Sequence, residues 1–220
     1  MAEVYGEKPK RFTKKWWSYF WDYYKWYVVA GVFLLMIVLG LLHHRYQMSK
    51  YDLTLYYAGP HYFPANHVEE ISEELGALCD DVNKDGEKFI SFANLTISTE
   101  DFDPEYKSSM LITLQFALEE EEIYVYIIHK NFAPRYVAQT AKDSRYAPTK
   151  DWLTADVKNA KFLSAHNLDY GVSLDGYKLF EEWNFDPKDH YLLIRKKPSD
   201  KDELPAYNAA IAFANKLLEK

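Results

Sequence analysis

From Trp26 to Leu42 seventeen residues run without a charge. As a helix at about 1.5 Å per residue they cover about 26 Å, slightly less than a bilayer core of about 30 Å. Starting the span at Tyr23 or Tyr24 closes the gap, because Lys25 can extend its ammonium back to the headgroups. The run is too long for the apolar region of a signal peptide. His43-His44-Arg45 also stands where small residues would be needed for cleavage. Just before it, nine of the twelve residues from Trp16 to Tyr27 are aromatic, four of them tryptophan. A soluble core helix has no need of such a concentration at one end. The water–lipid boundary does, since these rings are apolar in body and polar at the tip. Trp17, Trp21, Tyr24 and Tyr27 or Val28 recur at helical spacing, so the segment is expected to lie along the membrane surface before turning in.

Beyond the span the pattern changes to alternating strands and helices. Tyr51–Gly59 reads as a strand stopped by Gly59-Pro60. Asn66, three residues before Glu69, marks a helix start, and Val68, Ile71, Leu75 and Leu78 give that helix one buried face. Lys88–Ser98 reads as a strand with apolar residues on both sides, as in a covered sheet. Asp103-Pro104-Glu105 opens a second helix with Leu111, Leu114 and Leu118 inward. Ile123–His129 is a third strand. Residues 131–168 show no clean period and are expected to form loops and short helices. A short strand from Tyr170, a helical turn between Tyr177 and Trp183, a strand from His190 and a terminal helix over Ala206–Leu218 complete the series. Such alternation predicts an α/β fold: one N-terminal transmembrane helix, then a small mixed or parallel sheet covered by helices.

Charge gives the arrangement a direction. Residues 1–49 carry seven Lys/Arg against three Asp/Glu; residues 50–220 carry nineteen against thirty. Lys8, Lys10, Arg11, Lys14, Lys15 and Lys25 precede the span, and only Arg45 and Lys50 closely follow it. The positive-inside rule then predicts a cytoplasmic basic and aromatic interfacial segment (1–25), a transmembrane helix (26–44), a tether (45–50) and an extracytoplasmic domain (51–220) in the cell membrane. The N-terminal lysines are placed to meet anionic lipid. So acidic a domain is unsuited to nucleic acid. The chain has one cysteine, Cys79, which excludes an internal disulfide or a cysteine-rich zinc site and reads as a small apolar core residue.

The most specific chemical pattern is the loop after the first domain helix. Asp81, Asn83 and Asp85 alternate before Gly86, and Glu87 follows. Short oxygen side chains converging around a glycine turn begin a calcium loop. However, Phe92 stands where a bidentate glutamate belongs, and a strand follows instead of a helix. The same residues also make an ordinary Asn-Lys-Asp-Gly turn, so both readings stay open. Seven histidines are scattered without metal-motif spacing in the domain. Asn94-Leu95-Thr96 matches a glycosylation sequon but falls on a strand expected to be buried. No nucleophile elbow, zinc-protease, P-loop or dinucleotide fingerprint occurs. Ser173 and Asp175 follow a strand, a position where α/β ligand sites are found.

With Phe20-Trp21-Asp22-Tyr23-Tyr24-Lys25-Trp26 and the Asp81–Gly86 loop, the layout resembles single-pass membrane proteins of Gram-positive bacteria that carry no established activity. The pieces Tyr51–Gly59, Tyr170–Gly176 and Tyr191–Lys197 are similar to segments from one lobe of extracellular solute-binding proteins. The expectation is a non-enzymatic, membrane-anchored extracytoplasmic domain that binds a partner protein or ligand at the membrane surface. A solute-capturing module of a transporter and an enzyme are the alternatives.

Overall fold

Helix α1 runs without a break over Lys14–Met48 in the computed structural model, which describes residues 10–48, 51–99, 103–136, 144–157, 160–177 and 183–219. Its 35 residues make it about 52 Å long, far beyond a bilayer core of about 30 Å. Among the described residues it is the one helix long and apolar enough to cross a membrane. Two sequence expectations change here. The aromatic segment does not turn relative to the span, because no proline or glycine interrupts residues 14–30 and backbone bonding continues. The expected tether at 45–50 is helical as far as Met48. Along the aromatic part, rings one turn apart stack: Trp16 on Phe20 at 5.3 Å and Phe20 on Tyr24 at 5.4 Å between centroids.

The chain divides into two units, Met1–Ser49 and Lys50–Lys220. The second is an α/β domain on a six-stranded mixed sheet. Its strands are β1 (Leu53–Gly59), β2 (Ile90–Thr96), β3 (Val125–His129), β4 (Phe162–Ala165), β5 (Leu168–Ser173) and β6 (His190–Ile194). They lie in the order β2-β1-β3-β6-β5-β4. The first half is parallel, because helices α2 (Ala65–Gly76) and α3 (Pro104–Glu119) carry the chain back between β1, β2 and β3. The second half is an antiparallel meander.

Period-2 side-chain alternation sends neighbouring residues of each strand into separate cores. Leu55, Tyr57, Val125 and Ile127 pack with Ile71 and Leu75 of α2 and with Ala210, Phe213 and Leu217 of helix α4 (Leu204–Leu218). Tyr56, Ala58, Tyr126 and Ile128 pack with Leu114 and Leu118 of α3. The sheet is therefore covered on both faces. This explains why its strands read as apolar runs.

Helix starts follow local chemistry unevenly. Asp103 caps α3 as the sequence implies, accepting from the Glu105 and Tyr106 N–H groups at 3.1 and 3.0 Å. Asn66 does not cap α2. The cap is Pro64, whose fixed φ of −60° enters the helix directly, and no side chain caps it. Ala133–Tyr136 and Thr149–Asp151 are short 3-10 turns in the region expected to be irregular, but β4 was not legible there. The turn expected between Tyr177 and Trp183 falls largely on residues 178–182, outside the described residues. Lys88–Ser98 is corrected most: β2 is an edge strand, and Asn94 of the sequon is exposed.

Because both faces of the sheet are covered from within residues 50–220, this segment alone is expected to be soluble and to unfold in one cooperative transition. A broad, non-cooperative melt of residues 51–220 would show that the domain needs the helix.

Candidate functional site

β1, β3 and β5 run in one direction, and their carboxyl ends share one end of the sheet with the start of β6. In open α/β sheets this end is where ligands bind. Here it gathers Tyr57, His61, His129 and His190. Tyr57 and His190 lie 133 residues apart in the chain and share a hydrogen bond of 3.3 Å.

The hydrogen bonds define the protonation of this group. The His61 backbone N–H donates to Tyr57 Oη at 3.0 Å. His190 Nδ1 lies 2.9 Å from the Lys188 carbonyl, which can only accept, so Nδ1 carries the proton. Nε2 is then an acceptor, and the Tyr57 hydroxyl donates to it. On the neighbouring strand the Asn131 N–H donates to His129 Nδ1 at 3.3 Å, which places the His129 proton on Nε2. The two imidazoles meet edge to face at 4.9 Å. Burial pushes the pKa of His190 down to about 4, and nearby His129 adds to the effect. Burial also lowers His129 and His61. The histidines are therefore held neutral. Burial raises Tyr57, so its hydroxyl keeps its proton.

The backbone had to leave room for this arrangement. A Cβ on Gly59 would lie 2.3 Å from Tyr57 Oη and 2.7 Å from His190 Nε2. Only glycine lets β1 end there. Beneath the polar groups, Tyr57, Phe63, Phe92, Trp183 and Phe185 close on a cavity of about 10 Å³. That is room for at most one water.

Ser173 and Asp175 do reach this end of the sheet, and both are engaged in holding loops. Ser173 Oγ accepts the Asp175 N–H at 3.2 Å, and Asp175 accepts the Asp189 N–H at 2.8 Å while pairing with Lys161 at 3.1 Å. Asp189 pairs with Lys130 at 2.8 Å, which holds its carboxyl below the usual range. These pairs stitch the loops after β3 and β5 to the start of β6.

The acidic loop lies at the opposite end, where β1 and β2 begin. The structure brings Asp81, Asn83 and Asp85 together. Gly86 N–H donates to Asp81 Oδ2 at 3.1 Å, Asp85 N–H to Asn83 Oδ1 at 2.9 Å, and Glu87 N–H to Asp85 Oδ1 at 2.9 Å. Lys84 and Gly86 adopt positive φ, 60° and 89°. The loop is anchored by Asp52, which the sequence did not mark. Its buried carboxylate accepts from Val82, Asn83 and Phe89 N–H at 2.7, 3.1 and 3.1 Å. One oxygen, Asp81 Oδ1, is buried without a hydrogen-bond partner. Among the described residues no three His, Cys, Asp or Glu side chains converge to hold a metal ion.

A cleft of about 430 Å³ opens beside Tyr124, Arg145, Arg195, Lys196 and Glu203. Its arginines already have work: each donates to the Leu118 carbonyl at 3.3 Å, and Arg195 also reaches Glu120 O. They satisfy carbonyls left open at the end of α3 and favour its negative pole. Comparison with protein-family models, curated proteins and solved structures finds no match. What defines the chain is its architecture: an α/β domain on a mixed sheet behind one N-terminal apolar helix.

Proposed function

We propose that the protein is a single-pass membrane protein, N-terminus in the cytoplasm, whose extracytoplasmic domain binds a partner protein at the membrane surface and catalyses no reaction. The observation that carries this reading is the filled end of the sheet. The position where an α/β domain would hold a substrate is packed with aromatic rings around neutral, mutually bonded Tyr57 and His190. A cavity of about 10 Å³ there leaves no room for a substrate, since ligand pockets are typically hundreds of Å³. The charge excess before the apolar span supports the orientation, as does the likeness to single-pass Gram-positive membrane proteins. A reporter active only outside the cytoplasm, fused after Lys220, is expected to give signal, and one active only inside is expected to stay silent. Changing Lys8, Lys10, Arg11, Lys14 and Lys15 to Gln is expected to mix the two orientations. The reverse reporter pattern would overturn the topology.

The orphaned Asp81 Oδ1 favours one addition, a weak calcium site formed by Asp81, Asn83 and Asp85, with Glu87 beside them. One oxygen of Asp81 orders the turn through Gly86 N–H while the other is left for a cation. With few carboxylates, affinity is expected near that of extracellular modules, roughly 10⁻⁴–10⁻³ M. At about tenfold excess, calcium would stabilise the folded state by about 1.4 kcal/mol through mass action. Asp81→Ala should abolish that gain, and magnesium should reproduce it poorly. A melting curve indifferent to millimolar calcium would leave the loop as a turn.

A further inference from the structure

The sheet has two edges, and among the described residues only one is protected. β4 is four residues long and carries a register shift between Leu163 and Ser164. Shortness and bulges are two ways proteins keep an edge from pairing with other chains. β2 has neither. It runs seven residues, ISFANLT, in unbroken register with β1, without a charge, a proline or a glycine. Among the described residues no strand pairs with its outer side. An edge of this kind is a template for another strand.

A groove of about 270 Å³ runs between this edge and α2. Its apolar lining comes from Tyr51, Val68, Phe89 and Phe92, and Glu69 and Glu73 stand on its helix side. Those two glutamates are exposed and four residues apart on one helix, a spacing at which like charges repel. Among the described residues no lysine or arginine lines the groove, and α2 itself, ANHVEEISEELG, has none. Backbone groups along β2, an apolar floor and an anionic wall together specify an extended segment with apolar and cationic side chains.

We propose that β2 is a strand-addition site that takes an extended, Lys/Arg-bearing segment of the partner as a seventh strand. The proposal rests on the partner-binding reading above and names the partner's chemistry. Main-chain hydrogen bonds to β2 supply affinity. An apolar side chain over Val68, Phe89 and Phe92, with cations beside Glu69 and Glu73, supplies selectivity. A second copy of the chain does not fit these terms. Pairing β2 with itself would set two α2 helices side by side, each with four glutamates and no cation.

The test uses the full chain in phosphatidylcholine nanodiscs and fluorescent seven-residue peptides. Acetyl-KTVTKTV-amide, whose lysines and valines share one face of an added strand, is expected to bind about tenfold tighter than acetyl-ETVTETV-amide, as two exposed ion pairs allow. A central proline in the first peptide is expected to weaken it. Glu69→Lys with Glu73→Lys is expected to reverse the preference, a gain for the anionic peptide that an unfolded variant cannot produce. Ser91→Lys is expected to weaken both peptides. An unchanged preference in the double variant, or no binding of either peptide, would overturn the proposal. So would a full-chain dimer that Ser91→Lys dissociates. A photo-crosslinking residue at Asn94 or at Ile112 of α3, in the full chain in membranes, separates the two readings. Adducts from Ile112 alone would remove β2 and keep a partner. No adduct from either position would count against the partner itself.

Discussion

Replacing Asn215 by leucine is expected to lower the stability of residues 51–220 by about 3 kcal/mol. Asn215 is buried on α4 and uses all its amide groups. Its Oδ1 accepts from Thr154 and Ala155 N–H at 2.6 and 2.8 Å, and its Nδ2 donates to the Trp152 and Ile211 carbonyls at 2.9 and 2.8 Å. One side chain thus terminates the backbone of a connection that has no strand to pair with. Leucine keeps the branched shape of asparagine and is somewhat bulkier, so no cavity is left. What is lost is the pairing of the Ala155 N–H and the Trp152 carbonyl, both on buried residues. Each orphan costs about 1–3 kcal/mol. The Thr154 group can turn to water and the Ile211 carbonyl belongs to the helix, so those two contribute less. Urea unfolding is the measurement, with the slope expected to hold. A loss below about 1 kcal/mol would mean that the 152–155 connection finds other partners.

Acid is expected to destabilise the domain by about 3 kcal/mol between neutral pH and pH 4 through His190. An unfolded histidine takes up a proton near pH 6.5, whereas folded His190 resists until about 4. The unfolded state therefore binds more protons throughout that window, so stability falls as pH falls from about 6.5 and levels off below about 4. A shift of that size is worth about 3 kcal/mol. His129, also lowered by burial, acts in the same direction. The depressed carboxyls of Asp175 and Asp189 titrate lower, and their loss begins only near their unfolded value of 3.8. The interval from pH 6.5 to 4.5 therefore isolates the histidines. His190→Gln is expected to flatten the stability–pH curve there. An equally steep curve in that variant would assign the acid sensitivity elsewhere.

Several features were legible in the amino-acid order because their causes are local. A long uncharged run bordered by tryptophan and tyrosine specifies a membrane-length helix whatever lies beyond it. Asp103 before Pro104 starts α3 through bonds made within three residues. The spacing of Tyr207, Ala210, Ala214, Leu217 and Leu218 marks the buried side of α4 because helical period alone brings them together. Alternating strands and helices likewise implied a covered sheet.

Which strand stands at the edge is a different kind of fact. β2 is as apolar as β1, and only the crossover of α3 to the far side of β1 leaves β2 outermost. β4 is four residues without a strong period and exists because β5 turns back along it. Tyr57, His129 and His190 share no spacing that could announce them. They meet because β3 pairs with both β1 and β6 in register, and because Gly59 lets the chain pass. Asp52 and Asn215 read as ordinary polar residues until the loops they hold are brought to them. Periodicity and capping act over a few residues and can be read along the chain. Edge, neighbour and buried partner are set by strand pairing and packing between distant segments, and these are decided only when the chain closes on itself.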